Sequence, residues 1–177
     1  LMDLDDPDAE PTLVVDRDIQ DRYADAGNPV TRTDDNGESV IHVHDGAIFL
    51  DGQGASPEGD RPFLDRLDLA TLETTRLWQN EGEEYEAFVD LLRPDGSLIL
   101  TRREAPDDPP NYYVRDLSAD ERRRVTDFQD PAPELRGVHK ELVTYPRADG
   151  VDLSATLYLP PGYSPESGQR LPLVVWA

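Results

Sequence analysis

The chain is 177 residues long, enough for one ordinary domain with a core of reasonable size. It carries 38 Asp and Glu against 17 Lys and Arg, a formal net charge of -21, and no cysteine. That charge repels nucleic acid and anionic membranes. The lack of cysteine excludes disulfides, thiolate metal sites and cysteine nucleophiles. The longest apolar runs are a handful of residues, too short to span a bilayer. Leu1 stands without an initiator and Ala177 ends an apolar run, so the chain is expected to be an internal piece of a longer protein.

In chain order, residues 1–11 are acidic with two prolines and predict a loop or frayed end. Thr12 to Val15 is a short β-prone run, and Asp16 to Pro29 a long polar connection. Val40–His44 and Ala47–Leu50 predict two strands around an Asp45-Gly46 turn. A Gly/Pro-rich loop follows at Asp51–Gly59, then strands at Phe63–Leu69 and Thr74–Gln79. Tyr85–Leu92 and Ser97–Arg103 flank Arg93-Pro-Asp-Gly96, whose proline and glycine fit a type I turn. Ala105–Asn111 is expected to be a loop; Tyr112–Leu117 and Arg122–Phe128 complete another hairpin.

Residues 85–128 thus predict four antiparallel strands, and that many in about 40–45 residues is the size of one propeller blade. Leu67-Asp-Leu69 and Arg115-Asp-Leu117 occupy matching third-strand positions, which supports a repeat. Periodicity alone allows any antiparallel meander equally well. Asp130-Pro-Ala-Pro133 interrupts the pattern as a linker would. Beyond it, Lys140–Tyr145 and Val151–Leu159 alternate, the latter with Leu153, Ala155, Leu157 and Leu159 on one face. Leu171–Trp176 is a continuous apolar run of the kind expected for a strand buried on both sheet faces. No segment has convincing helical periodicity.

Lys140–Tyr145, Asp149-Gly150, Ala155-Thr-Leu-Tyr-Leu-Pro-Pro-Gly-Tyr163 and Leu171–Trp176 together resemble the entry into the α/β-hydrolase domain of prolyl oligopeptidase family serine peptidases. Within that family the chain is most similar to the glutamyl endopeptidase branch. Asp21-Arg-Tyr23, Gly27-Asn-Pro29, the Gly52–Gly59 loop with Pro62-Phe-Leu64, and Asn111-Tyr-Tyr113 extend the likeness upstream. The resemblance implies a mainly β chain: the last blades of a β-propeller followed by the first strands of an α/β-hydrolase sheet. The implied organisation is 1–128 as the C-terminal part of the propeller, with blades at about 12–79 and 85–128. Residues 129–137 would be a linker and 138–177 the start of a truncated peptidase domain.

The family cleaves peptides with a Ser-His-Asp triad, its propeller limiting access, and its nucleophile lies in a G-x-S-x-G turn. That pattern is missing: Ser39, Ser56, Ser97, Ser118, Ser154, Ser164 and Ser167 all lack glycines at the required spacing. The resemblance therefore implies a peptidase fragment, with a peptide as substrate and cleavage after glutamate in the whole enzyme. Its partner would be the remainder of the peptidase domain. No catalytic, cofactor-binding or metal-binding residue is assigned within this chain, and no cofactor, nucleic acid or membrane partner is expected. The compartment is not read from the sequence, with a soluble cytoplasmic setting favoured over a periplasmic one. The alternative is a non-catalytic propeller module that binds a partner.

Several residues invite sharper readings. His42 and His44 lie two apart on a strand and share a face, with Asp45 beside them, so they are candidate metal ligands; a polar strand pair is the blander reading. Asp34-Asp-Asn-Gly37 with Asp45 eleven residues on is a partial calcium-loop pattern, or simply a turn. His139 has no serine or acid arrangement around it. Arg122-Arg-Arg124 is the one basic cluster, but alternation splits it between two faces. Arg102, Arg115 and Arg136 are candidates to meet an acidic substrate side chain, with nothing to select among them. Lys140 is the only lysine, and the acidic, lysine-poor composition is read as adaptation to high salt rather than as disorder.

Overall fold

Short runs of β-branched, aromatic and leucine residues at period two, punctuated by Asp-Gly and Pro-Asp-Gly, leave the chain little choice but antiparallel strands. The computed structural model describes residues 1–2, 5–6 and 8–176. Among these the regular structure is β-strand, with 3-10 turns at Pro133–Leu135 and Pro165–Ser167.

The first strands are β1 (Asn28–Pro29), β2 (Thr31–Thr33), β3 (Ser39–Ile41), β4 (Val43–His44), β5 (Ala47–Gly52), β6 (Phe63–Asp68) and β7 (Thr74–Gln79). One sheet runs β1-β5-β6-β7, with β4 also paired to β5, while β2 and β3 form their own hairpin. Asp45 and Gly46 both have positive φ, 46° and 68°, the signature of a two-residue type I′ turn between β4 and β5. A second sheet runs β11-β10-β9-β8, from β8 (Tyr85–Leu91), β9 (Leu98–Ala105), β10 (Asp108–Asp116) and β11 (Glu121–Arg124). Gly96 N–H bonds the Arg93 carbonyl at 3.1 Å, closing the expected turn between β8 and β9. A bulge between Phe88 and Asp90 leaves Val89 over in β8.

The two sheets share one core of Val30, Phe49, Leu64, Trp78 and Ile99, with Leu77, Phe88, Leu91 and Leu117 packed against it. The pleat explains the membership: Asp51 pairs with Leu64, and Leu64 with Trp78, so these residues and Phe49 share the face turned to the second sheet. The chain divides into two compact units, Leu1–Ala105 with Pro109–Phe128, and Pro106–Asp108 with Gln129–Ala177. The second unit holds the hairpin of β12 (His139–Pro146) and β13 (Asp152–Leu159), paired from His139↔Leu159 to Pro146↔Asp152. Leu153, Leu157 and Leu159 are half-buried on one face of β13, and Ala155 is exposed.

Six expectations need correction. The single strand expected at Val40–His44 is interrupted at His42, so that β3 pairs with β2 and β4 with β5. Thr12–Val15 forms no strand: Thr12 exchanges backbone hydrogen bonds with Leu1, 2.7 Å each way, but no ladder continues from that pair among the described residues. The polar stretch before Val40 contains β1 and the β2–β3 hairpin, held by a side-chain-capped turn rather than by apolar periodicity. The loop expected at Ala105–Asn111 is a tight turn at Pro106-Asp107, and β10 already begins at Asp108. The strand expected to reach Phe128 stops at Arg124, where the Asn111 side chain takes over the hydrogen bonding. Leu171–Trp176 is not a strand: its backbone finds no partner among the described residues, and Leu173, Val174, Val175 and Trp176 are 78–96% exposed.

Candidate functional site

The second sheet presents an unusual inward face. Glu86 on β8 is 2% exposed and shares its side with Phe88, in the direction of the core. Its carboxylate accepts hydrogen bonds from Thr101 Oγ1 at 2.6 Å and from Arg115 Nε and Nη2, both at 2.7 Å. Arg122 Nη1 adds a fourth contact at 3.1 Å. One carboxylate therefore ties β8, β9, β10 and β11 together. Burial pushes the Glu86 carboxyl up, but the hydrogen bonds from Arg115 and Thr101 and the charges of Arg115 and Arg122 outweigh it. The net result is a group held below its usual range. Glu86 in turn holds the Arg115 guanidinium above its usual value.

Aromatic rings frame this cluster. Arg115 lies 5.6 Å from the Trp78 ring centroid and Arg122 lies 5.2 Å from that of Tyr113. Arg103, also near Tyr113, pairs with Glu84, which is thereby held low. Fully buried Asn111 completes the wall: its Oδ1 accepts from Thr126 Oγ1 at 2.9 Å and Phe128 N–H at 2.7 Å, and its Nδ2 donates to the Pro109 carbonyl at 3.0 Å.

Two open clefts flank the core. One of about 450 Å³ is lined by Thr31, Arg32, His42, Asp90 and Arg93, among others. The other, about 260 Å³, lies between the first sheet and β8 and is lined by Asn28, Asp51, Gly52, Gln53, Pro62, Tyr85, Ala87 and Phe88. Close backbone approach shapes the second cleft. A Cβ on Gly27, which has φ 85°, would sit 2.6 Å from the Asp51 carbonyl oxygen, and one on Gly54 would sit 1.9 Å from that of Arg61. The glycines of this loop thus serve chain packing.

The three arginine candidates each meet a carboxylate of this chain. Arg115 is held by Glu86, Arg102 meets Glu104 at 2.6 Å, and Arg136 meets Asp130 at 2.7 Å. Within the basic cluster, Arg124 reaches Asp127 at 3.3 Å, while Arg123 sits opposite Val114 on the other face from Arg122. His42 Nε2 lies 2.9 Å from the Pro94 carbonyl, whereas His44 lies 3.4 Å from the Asp45 carboxylate; the two rings take separate partners. Among the described residues no three metal-ligating side chains gather. The Asp34 carboxylate accepts from the N–H groups of Glu38 and Asn36, caps the β2–β3 turn, and is held low by them. His139 lies 3.6 Å from Glu141. Ser56, Ser97, Ser118 and Ser167 bond to nearby loop oxygens, those of Gly59, Asp95, Asp116 and Ser164.

Sequence reasoning missed Glu86, Thr101, Asn111 and Asp51. Glu86 closes the acidic run Glu81–Glu86 and so looks solvated; its one signal is the alternation that places it on the Phe88 side.

No protein-family model matches the chain. It is 39% identical over 187 residues to a protein of Oryza sativa subsp. japonica named probable glutamyl endopeptidase, chloroplastic, covering 98% of this chain and 20% of that protein. The protein of the same name from Arabidopsis thaliana is 36% identical over 185 residues, with 96% of this chain and 19% of the relative covered. Among solved structures, the AtxE2 isopeptidase with astexin3-dC4 bound aligns at TM-score 0.40 and 16% identity over 77% of this chain and 22% of that one. A puromycin hydrolase complexed with PGG aligns at 0.35 and 16% identity, over 73% and 22%. The chain spans about one fifth of the length of its curated relatives, and over that span it is similar to proteins named probable glutamyl endopeptidase.

Proposed function

We propose that this chain is the non-catalytic part of a serine peptidase that cleaves peptides after glutamate. In this reading residues 1–128 supply two β-propeller blades that restrict access to the active site. Residues 129–137 link them to a hydrolase domain that begins at residue 138. The observation that carries the proposal is the 39% identity sustained over 98% of the chain. The arrangement of the sheets supports it: a five-stranded and a four-stranded antiparallel sheet share a common core, and the β6–β7 and β10–β11 turns carry the same aspartate capping. No helix among the described residues is long and apolar enough to cross a membrane.

Hydrolysis would be the work of a triad elsewhere in the protein, since no serine of this chain lies in a G-x-S-x-G pattern. The arginines of this chain would act as scaffold, because Arg102, Arg115 and Arg136 are each neutralised within it. The test is to express the complete protein that carries this chain and assay peptide p-nitroanilides with Glu, Gln or Leu before the scissile bond. Hydrolysis selective for Glu and abolished by a fluorophosphonate is the expected result. Lack of both hydrolysis and covalent labelling would overturn the peptidase reading. Activity equal on all three substrates would overturn only the glutamate preference.

A further inference from the structure

Half-buried carboxylates in this chain have cationic partners as a rule. Asp65 is held by Arg76, Glu86 by Arg115 and Arg122, and Asp25 by Arg17. Asp51 breaks the rule. It lies on β5 on the same face as Phe49, directly across from the fully buried Leu64, so its side chain is directed toward the second sheet. There it borders the 260 Å³ cleft together with Asn28, Gln53, Tyr85 and Phe88. Among the described residues no cation reaches it. Burial pushes its carboxyl above the usual range, and only its own backbone N–H works in the other direction. An ionised group kept there without a counter-charge costs stability, which a neutral residue of the same shape would avoid.

We propose that the cleft beside Asp51 binds one cationic side chain, a guanidinium or ammonium group carried by a peptide. The volume accommodates a single long side chain. Asp51 supplies the counter-charge, Asn28 and Gln53 offer amide oxygens, and the Tyr85 and Phe88 rings give the stem and the cation aromatic surface. The chain already contains a small version of this recognition at the rim, where Arg22 Nη2 donates to Gln53 Oε1 at 3.0 Å. Arg22 itself is 64% exposed and turns to Asp60 at 3.8 Å rather than to Asp51. A divalent cation suits the site poorly, because Asp51 is the one carboxylate in the lining. The proposal does not depend on the peptidase reading.

The test is calorimetric titration of the complete protein with N-acetyl-arginine methylamide, and with its citrulline counterpart as an uncharged analogue. The expected result is saturable binding of the arginine derivative, at least tenfold tighter than of citrulline, and lost in Asp51→Asn. The same substitution is expected to raise Tm by on the order of a few degrees in the absence of ligand, since it removes the unpaired charge. Equal binding of both derivatives, or undiminished binding by Asp51→Asn, would overturn the proposal. So would binding that is absent from the wild type and appears only in Arg22→Ala, because Arg22 would then be the natural occupant. The comparison of arginine with citrulline needs no variant and stands even if Asp51→Asn folds poorly.

Discussion

Glu86 shows at the level of one side chain how this chain handles its excess of acid. Removing its charge leaves Arg115, 19% exposed, and Arg122, 37% exposed, facing each other without a carboxylate. Breaking one partner of a buried pair costs about 3–5 kcal/mol, and water access to the two arginines places this case near about 3 kcal/mol. Glu86→Gln is therefore expected to lower the free energy of unfolding by that amount, as measured by urea denaturation. The sign with pH follows from the folded carboxyl lying below its unfolded value. The stabilisation is complete above the unfolded glutamate range and disappears as pH falls through the folded value. The wild type should thus lose its advantage over Glu86→Gln on acidification, and a difference independent of pH would refute the assignment. Alternation puts Glu86 on the Phe88 side but puts Glu84 there too, so it does not single out the buried carboxylate; burial is decided by strand register and by residues 15–36 positions away.

At the scale of elements, the loop between β6 and β7 and that between β10 and β11 are the same device written twice. The sequences Asp68-Leu-Ala-Thr-Leu-Glu73 and Asp116-Leu-Ser-Ala-Asp-Glu121 align without gaps. Asp68 accepts from the N–H groups of Ala70 and Thr71, and Asp116 from those of Ser118 and Ala119. Both carboxyls are held low, Asp68 mainly by these backbone donors and Asp116 mainly by the Ser118 hydroxyl. The fifth residue is left-handed in each, Leu72 at φ 59° and Asp120 at φ 53°. Aspartate tolerates that conformation, whereas a leucine is strained there by about 1 kcal/mol. Leu72→Asn is expected to stabilise the protein by about that amount and raise Tm, provided the half-buried Leu72 side chain contributes little packing. A lower Tm would mean that its apolar contacts outweigh the backbone strain. The matched third strands were legible in the sequence because the Asp-Leu pair recurs with its turn. The β2–β3 hairpin was hidden because Thr31–Thr33 has no apolar alternation, and Asp34 rather than hydrophobicity fixes it.

For the whole molecule, most of the 38 acidic residues lie on the surface, and 17 basic ones leave a charge of -21 to repel itself. Two opposing effects act on acidification. Paired carboxylates such as Glu86, Asp116 and Asp130 have lowered values and favour the folded chain above the unfolded carboxylate range. General repulsion works against folding at the same pH and weakens as the net charge falls. Salt separates the two, since the Debye length contracts from about 30 Å at 0.01 M to about 3 Å at 1 M. Screening at that length removes repulsion between distant carboxylates but leaves the 2.7 Å contacts of Glu86 with Arg115 largely intact. Tm at pH 7 should accordingly rise as salt is brought to molar concentration, and the rise should shrink at pH 5, where repulsion is already partly relieved. Chloride and perchlorate salts would separate screening from the salting-out of apolar surface: a screening effect is shared by both below about 1 M, whereas salting-out is not. A Tm at pH 7 that is flat from low to molar salt would show that local ion pairs already neutralise the acidic surface, and the composition would then carry no adaptation to salt.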